Sequence, residues 1–256
     1  MPSKVDKQAI RAAFGRAAGQ YDRVAEVQRR IARSLLERTP PLSTATILDA
    51  GCGTGFGASL LRQQCVGSTV FTLDAAYAMC QQSGTPLVAC GDIEALPVAD
   101  ASLNLYWSSL AWQWTQAARA IAEAARVLKP GGLLRVATLG PATLHELRTA
   151  FASVDAHPHV RDFQYAELHA DLLAANGFHA IQVEQRIERT FAPDLPNLLR
   201  DIRSLGAHEL GQARRPGLLG RHAWIYLQAA YENFREAEGL PASYDVITLC
   251  ATRSAA

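Results

Sequence analysis

The chain has 256 residues, 49% of them hydrophobic and 19% charged, with a formal net charge of +1. That length suits one α/β domain with insertions and can bury a substantial core. The neutral balance gives no reason to expect nucleic acid as a partner. The absence of an apolar leader or an apolar run of about 18 residues argues against a secreted or membrane-spanning chain. Five cysteines, odd in number and without close metal-ligand spacing, read as reduced thiols of a cytoplasmic protein.

In chain order, residues 6–38 read as helix. Ile10, Phe14, Ala17, Tyr21, Val24, Ile31 and Leu35 recur at a three-four spacing, and Gly15 and Gly19 suggest a hinge near Gly19–Tyr21. Pro40 and Pro41 end the second helix. Strands are expected at 46–50, 69–74, 87–90, 103–107, 133–139, 180–187 and 245–251, with mostly helical segments between them. Such alternation implies a seven-stranded, mostly parallel sheet with helices on both faces. Two stretches exceed the minimal alternation, one at 140–164 and one at 193–243. Long excursions near the carboxyl ends of strands suit a helical lid over a substrate, the second being inserted before the last strand. The expected organisation is therefore a single domain over 1–256, with its core at 45–192 and 244–252. Charge is uneven: residues 1–38 carry nine Lys or Arg against four acids, and residues 197–221 carry five Arg against two.

The most telling segment is Ile47-Leu-Asp-Ala-Gly-Cys-Gly-Thr-Gly55. A buried strand runs into Asp49 and turns through Gly51, Gly53 and Gly55 into a helix, the layout that holds a nucleotide-like ligand against bare backbone. Asp74 ends the next strand at the distance expected of a ribose-binding carboxylate. Gly91-Asp92-Ile93 follows the third strand, and Leu128-Lys-Pro-Gly-Gly132 precedes the fifth. Phe56 fills the third glycine position of the dinucleotide pattern, and 39–118 holds Arg62 as its single basic residue against five acids. A diphosphate is disfavoured there, and a cationic sulfonium is favoured.

This series resembles the Rossmann-like, S-adenosylmethionine-dependent methyltransferases. On that resemblance Gly51, Gly53 and Gly55 let backbone approach the methionine and ribose. Asp74 accepts the ribose hydroxyls, Asp92 the adenine amino group, and Ile93 packs on the ring. Asp49 faces the cationic end. Ser108 and Ser109, after the fourth strand, are candidate contacts for the methionine amino group, and Trp112 and Trp114 for a substrate wall. Tyr21, Gln28 and Arg29 are placed to close over the cofactor from the N-terminal helices.

Phe14-Gly-Arg-Ala-Ala-Gly-Gln-Tyr21, Trp107–Trp114, Val154-Asp-Ala-His-Pro-His159 and Ile202-Arg-Ser-Leu-Gly-Ala-His208 together resemble the malonyl-[acyl-carrier protein] O-methyltransferases of biotin synthesis. One departure stands in Arg161-Asp162-Phe163, where these enzymes tend to place Arg directly before Phe. The resemblance implies methylation of the free carboxylate of a malonyl thioester, with S-adenosylhomocysteine as the other product. A carboxylic acid with a pKa near 4 is already ionised at neutral pH, so no general base is called for. Arg203 is the candidate to hold the carboxylate, through a bidentate guanidinium. His159 is read as a hydrogen-bond donor of the lid, and a metal at His157 and His159 is rejected for want of a third ligand. Arg200, Arg214, Arg215 and Arg221 suit docking of an acidic carrier protein. The competing readings are a methyltransferase of another small acid or phenol, and a non-catalytic cofactor-binding protein.

Overall fold

The computed structural model describes residues 7–204 and 219–255, excluding the side chains of 17–24, 203 and 204. Two helices open it, α1 at Lys7–Val24 and α2 at Glu26–Glu37. The hinge expected near Gly19–Tyr21 falls instead at Ala25, with φ −86° and ψ 28°. A helical glycine costs only about 1 kcal/mol relative to alanine, which tertiary packing overrides. The helix therefore runs through both glycines and turns at a buried alanine.

Seven strands follow: β1 Thr46–Ala50, β2 Thr69–Asp74, β3 Val88–Cys90, β4 Leu103–Ser109, β5 Leu128–Leu139, β6 Phe178–Ala192 and β7 Leu240–Arg253. Helices α3 (Phe56–Gln64), α4 (Tyr77–Gln82), α5 (Ala117–Val127), α6 (His145–Ala152), α7 (Ala166–Ala175), α8 (Leu195–Ser204) and α9 (Arg221–Glu232) connect them. The sheet order is β3-β2-β1-β4-β5-β7-β6, with β7 running opposite to the other six strands. Strand order reverses between β1 and β4, so a crevice opens at their carboxyl ends, where such sheets bind ligands.

Side-chain alternation along the strands builds one core on each face. Ile47, Leu105, Trp107 and Ala137 pack with α2, α3, α6, α8 and α9. Leu48, Tyr106, Leu134 and Val136 pack with α5 and α7. Each fully buried Leu or Ile contributes about 1.5–3 kcal/mol. This two-sided burial explains why the central strands read as continuous apolar runs.

The 193–243 excursion sends Leu195, Leu198 and Ile202 of α8, and Leu227 and Tyr231 of α9, into the first core. The Tyr231 hydroxyl donates to the Pro241 carbonyl at 2.8 Å. β7 starts at Leu240, inside the stretch assigned from sequence to the excursion, because its polar residues are buried and paired. Ser243 donates to Glu146, and the Asp245 carboxylate accepts from the Ala142 amide at 3.0 Å and from Gln185 at 2.8 Å.

Candidate active site

The loop after β1 is held to β2: the Gly51 and Cys52 amides both donate to the Leu73 carbonyl, at 2.7 and 3.0 Å. Gly51 has φ +82°, and a Cβ there would lie 2.2 Å from the Ala111 Cβ. Gly55, at φ +87°, precedes α3, and a Cβ on it would lie 2.2 Å from the Ser83 carbonyl oxygen. Only glycine meets both conditions. The Gly53 amide donates to Asp74 Oδ2 at 2.9 Å, which ties the loop to the end of β2.

The three acids named from sequence stand at adjacent strand ends, each in a different electrostatic setting. Asp74 also accepts from the Ala76 amide at 2.8 Å. Burial raises its pKa, opposed by hydrogen bonds from the Ala76, Gly53 and Ala75 amides. Asp92 accepts from Lys7 at 2.7 Å and from the Glu94 amide at 3.0 Å, and lies 3.5 Å from Arg11. Burial opposes its ionisation, but these partners hold the carboxyl below its ordinary range. Lys7 reaches Glu94 as well, at 2.8 Å. The acidity read from 39–118 is therefore partly neutralised by cations on α1.

Asp49 is different. It is 1% exposed, and among the described residues neither carboxylate oxygen has a side-chain hydrogen-bond partner. Burial, then the Asp74 charge, raises its pKa to about 7, while the Ala58 amide at the start of α3 and Arg62 pull the other way. Gln28 Oε1, Trp107 Nε1 and Ser109 Oγ are likewise buried without partners. All four residues line one hollow of about 460 Å³, with Ala25, Arg29, Gly51, Cys52, Gly53 and Phe56. Buried polar groups are almost always satisfied, so an unsatisfied cluster around a hollow marks the place of a polar ligand. Cys52 in this wall has its thiol pKa pushed up by burial and by Asp49 and Asp74, which leaves it inert as a nucleophile.

The hollow shares Gly51, Gly53 and Ser109 with a larger cleft of about 730 Å³. Asp74, Asp92, Ile93, Met79, Ala111 and Trp114 line that cleft, and Lys7, Ile10, Arg11 and Phe14 of α1 roof it. Phe14 meets the Trp114 ring edge-on, with centroids 5.5 Å apart. The fit to an S-adenosyl ligand is good on this donor set, with carboxylates able to accept from hydroxyl and amino groups in one lobe and orphaned polar groups in the other.

Three expectations need correcting. Ser108 is fully buried, and its hydroxyl donates to the Ala50 carbonyl at 2.7 Å, away from the cleft. Trp112, 1% exposed, is a core residue whose Nε1 donates to the Tyr106 hydroxyl at 3.0 Å. Strand alternation decides both: neighbouring side chains leave β4 on opposite faces, and the turn after it sends only one tryptophan to the cleft. His159 lines a separate hollow with Arg148 and His157, stacked on Phe151 at 3.5 Å and bonded to Asp155 at 2.8 Å. Its binding capacity is turned to its own loop. The side chains of Tyr21 and Arg203, together with His208, Arg214 and Arg215, lie outside the described residues. Among the described residues no group of three or more His, Cys, Asp or Glu is placed to hold a metal.

Lys7, Arg11, Phe14 and Trp107 escaped identification as site residues. Lys7 is 85 residues from Asp92 in sequence, and no local pattern announces such a contact. Trp107 sits in an apolar strand, where its unpartnered indole N–H gives no sequence signal.

The fold and cleft define an S-adenosylmethionine-dependent methyltransferase. A family model described as a methyltransferase domain matches residues 48–136. Among solved structures, the YcgJ protein of Bacillus subtilis superposes with a TM-score of 0.61 at 17% identity, covering 89% of this chain and 99% of that one, a likeness of fold alone. More particularly, the chain belongs to the malonyl-[acyl-carrier protein] O-methyltransferase family. It is 42% identical to the member from Dechloromonas aromatica over 98% of this chain and 96% of that protein. It is also 36% identical to the biotin biosynthesis bifunctional protein BioHC of Cellvibrio japonicus, over 98% of this chain and 51% of that protein.

Proposed function

We propose that this chain methylates the free carboxylate of malonyl-[acyl-carrier protein], giving the methyl ester as an early step of biotin synthesis. Full-length kinship at 42% identity with an enzyme named for that substrate carries the reading. The ester masks the carboxylate charge, which lets a chain-elongating machinery treat the product as an ordinary acyl group.

S-adenosylmethionine supplies an electrophilic methyl on a cationic sulfur. Asp74 serves its ribose and Asp92 with Ile93 its adenine, while Gly51 and Gly53 offer backbone. Gln28, Arg29, Asp49, Trp107 and Ser109 receive the methionine end. The malonyl carboxylate is ionised near neutrality, so the protein has no proton to remove. Among the described residues no histidine lines either lobe of the cleft. The work left to the chain is alignment and exclusion of water, and alignment alone is worth up to about 7–11 kcal/mol. Phe14, Leu110, Ala111 and Trp114 supply the apolar wall for it.

Exposed Arg200 and Arg221, on α8 and at the start of α9, suit an acidic carrier protein, with Arg214 and Arg215 between them in sequence. Such docking is salt-sensitive. The test is mass spectrometry of malonyl-carrier protein, malonyl-coenzyme A and acetyl-carrier protein after incubation with S-adenosylmethionine. One added methyl on malonyl but not acetyl thioesters is expected. No methylated product on either malonyl thioester overturns the reading.

A further inference from the structure

Arg161 is a half-buried cation with no ion-pair partner among the described residues. Its Nε is shielded from solvent and has no hydrogen-bond partner, and its guanidinium carbon lies 5.5 Å from the centroid of the Trp114 ring. The adjacent acid does not serve it: Asp162 is exposed and pairs with Arg148 at 3.2 Å. Arg148 also donates to the Arg161 carbonyl at 3.1 Å, which pins the backbone while the side chain turns inward. Val160 and Phe163 anchor the same segment in the core. Arg135, also half-buried, shows the usual solution, donating to the Arg38 and Leu134 carbonyls at 2.7 and 2.8 Å.

A charge drawn partly out of water with a donor left unpaired is destabilising, and here burial lowers the arginine pKa, only partly opposed by Asp162. A protein retains such a group where a ligand completes it. Trp114 is the shared wall: Arg161 lies over its ring, Phe14 meets its edge, and the cofactor cleft is bounded by both aromatics. We propose that Arg161 receives the malonyl carboxylate at this wall, held flat by Trp114 and presenting its donor fork to the two carboxylate oxygens. This rests on the substrate reading above and makes Arg161 the specificity-determining contact of that same site. The shifted order Arg161-Asp162-Phe163 then has a structural sense: one residue turns in, the next pairs at the surface, and the third packs.

The test compares wild type with Arg161→Gln and Arg161→Lys, all loaded with S-adenosylhomocysteine for binding and with S-adenosylmethionine for turnover. Wild type should bind malonyl-carrier protein more tightly than acetyl-carrier protein. Arg161→Gln should weaken malonyl binding roughly 10- to 100-fold, the worth of a charge-assisted contact, and leave acetyl binding and cofactor affinity within about twofold. Arg161→Lys should recover part of the discrimination. Unchanged malonyl-over-acetyl preference in Arg161→Gln overturns the assignment. So does a parallel loss for both carriers with a lowered Tm, which marks a buttress for Trp114. A wild type that methylates no malonyl thioester overturns the substrate reading itself, a failure distinct from either of these.

Discussion

Replacing Asp49 with asparagine should stabilise the ligand-free protein at alkaline pH while weakening cofactor binding. Burial, reinforced by the Asp74 charge, raises the Asp49 pKa from 3.8 to about 7. The unfolded carboxyl keeps its ordinary value, so between these pKa values the folded chain holds a proton that the unfolded chain has released. Stability contributed by this group therefore falls as pH rises from about 4 to about 7, and the full cost is present above that. The shift corresponds to about 4 kcal/mol at about 1.36 kcal/mol per unit. Asparagine removes the charge but leaves a buried amide unsatisfied, which returns about 1–3 kcal/mol of that. A net gain of about 2 kcal/mol in alkaline solution remains, or about 4–8 °C in Tm for a chain of this size. Calorimetry of ligand-free wild type and Asp49→Asn from about pH 4 to about pH 8.5 should show a Tm difference that opens with pH. Titration with S-adenosylmethionine at the alkaline end should show about tenfold or greater loss of affinity, since a counter-charge for the ligand is gone. A Tm difference of constant size across pH, or a variant less stable than wild type at high pH, would refute the reasoning.

Gly51→Ala, which forces a Cβ to 2.2 Å from Ala111, should lower stability by at least about 2 kcal/mol. Gly53→Ala meets nothing within 4 Å, so it should cost only about 1 kcal/mol for its positive φ and mainly reduce cofactor affinity. Equal Tm losses in the two variants would contradict the loop geometry. Trp112→Ala should cost about 3–5 kcal/mol of stability as a core truncation. Trp114→Ala should instead spare most of the Tm and raise the dissociation constant for S-adenosylhomocysteine. The reverse pattern in calorimetry and titration would exchange the two roles. Lys7→Met removes the hydrogen bond that holds Asp92 below its ordinary range, a contribution present at neutral pH and lost as pH falls through the depressed pKa. The variant's Tm deficit should accordingly vanish in strong acid, and a deficit unchanged at about pH 3 would count against the pairing.

Much of the fold was legible because local chemistry and global architecture agree. β1 to β4 are short apolar runs separated by glycine and polar turns, so their existence and order follow from periodicity; β5 was placed the same way, but it starts at Leu128 rather than at 133 because Leu128 pairs with Leu103 of β4. The glycines at 51, 53 and 55 and the acids at 49, 74 and 92 were legible for the same reason: each sits where a strand must end. The boundaries of β6 and β7 were not, because Ser243 and Asp245 look like loop residues and owe their strand positions to partners on α6, β6 and the segment after β5.

The sequence by itself therefore determined the strand-end chemistry: backbone turns only glycine makes and carboxylates placed by strand length. Tertiary structure alone decided which neighbours meet those groups. Lys7 neutralises Asp92 from the start of α1, while Asp49 is left without a side-chain partner among the described residues, in the hollow between α2 and β4. Strand alternation turns Ser109 toward the cleft and Ser108 away from it. It is packing, too, that turns Arg161 in beside Trp114 and leaves Asp162 at the surface. The physical reason is common to all four: burial and pairing depend on segments distant in sequence, and charge in low dielectric is governed by what packs against it.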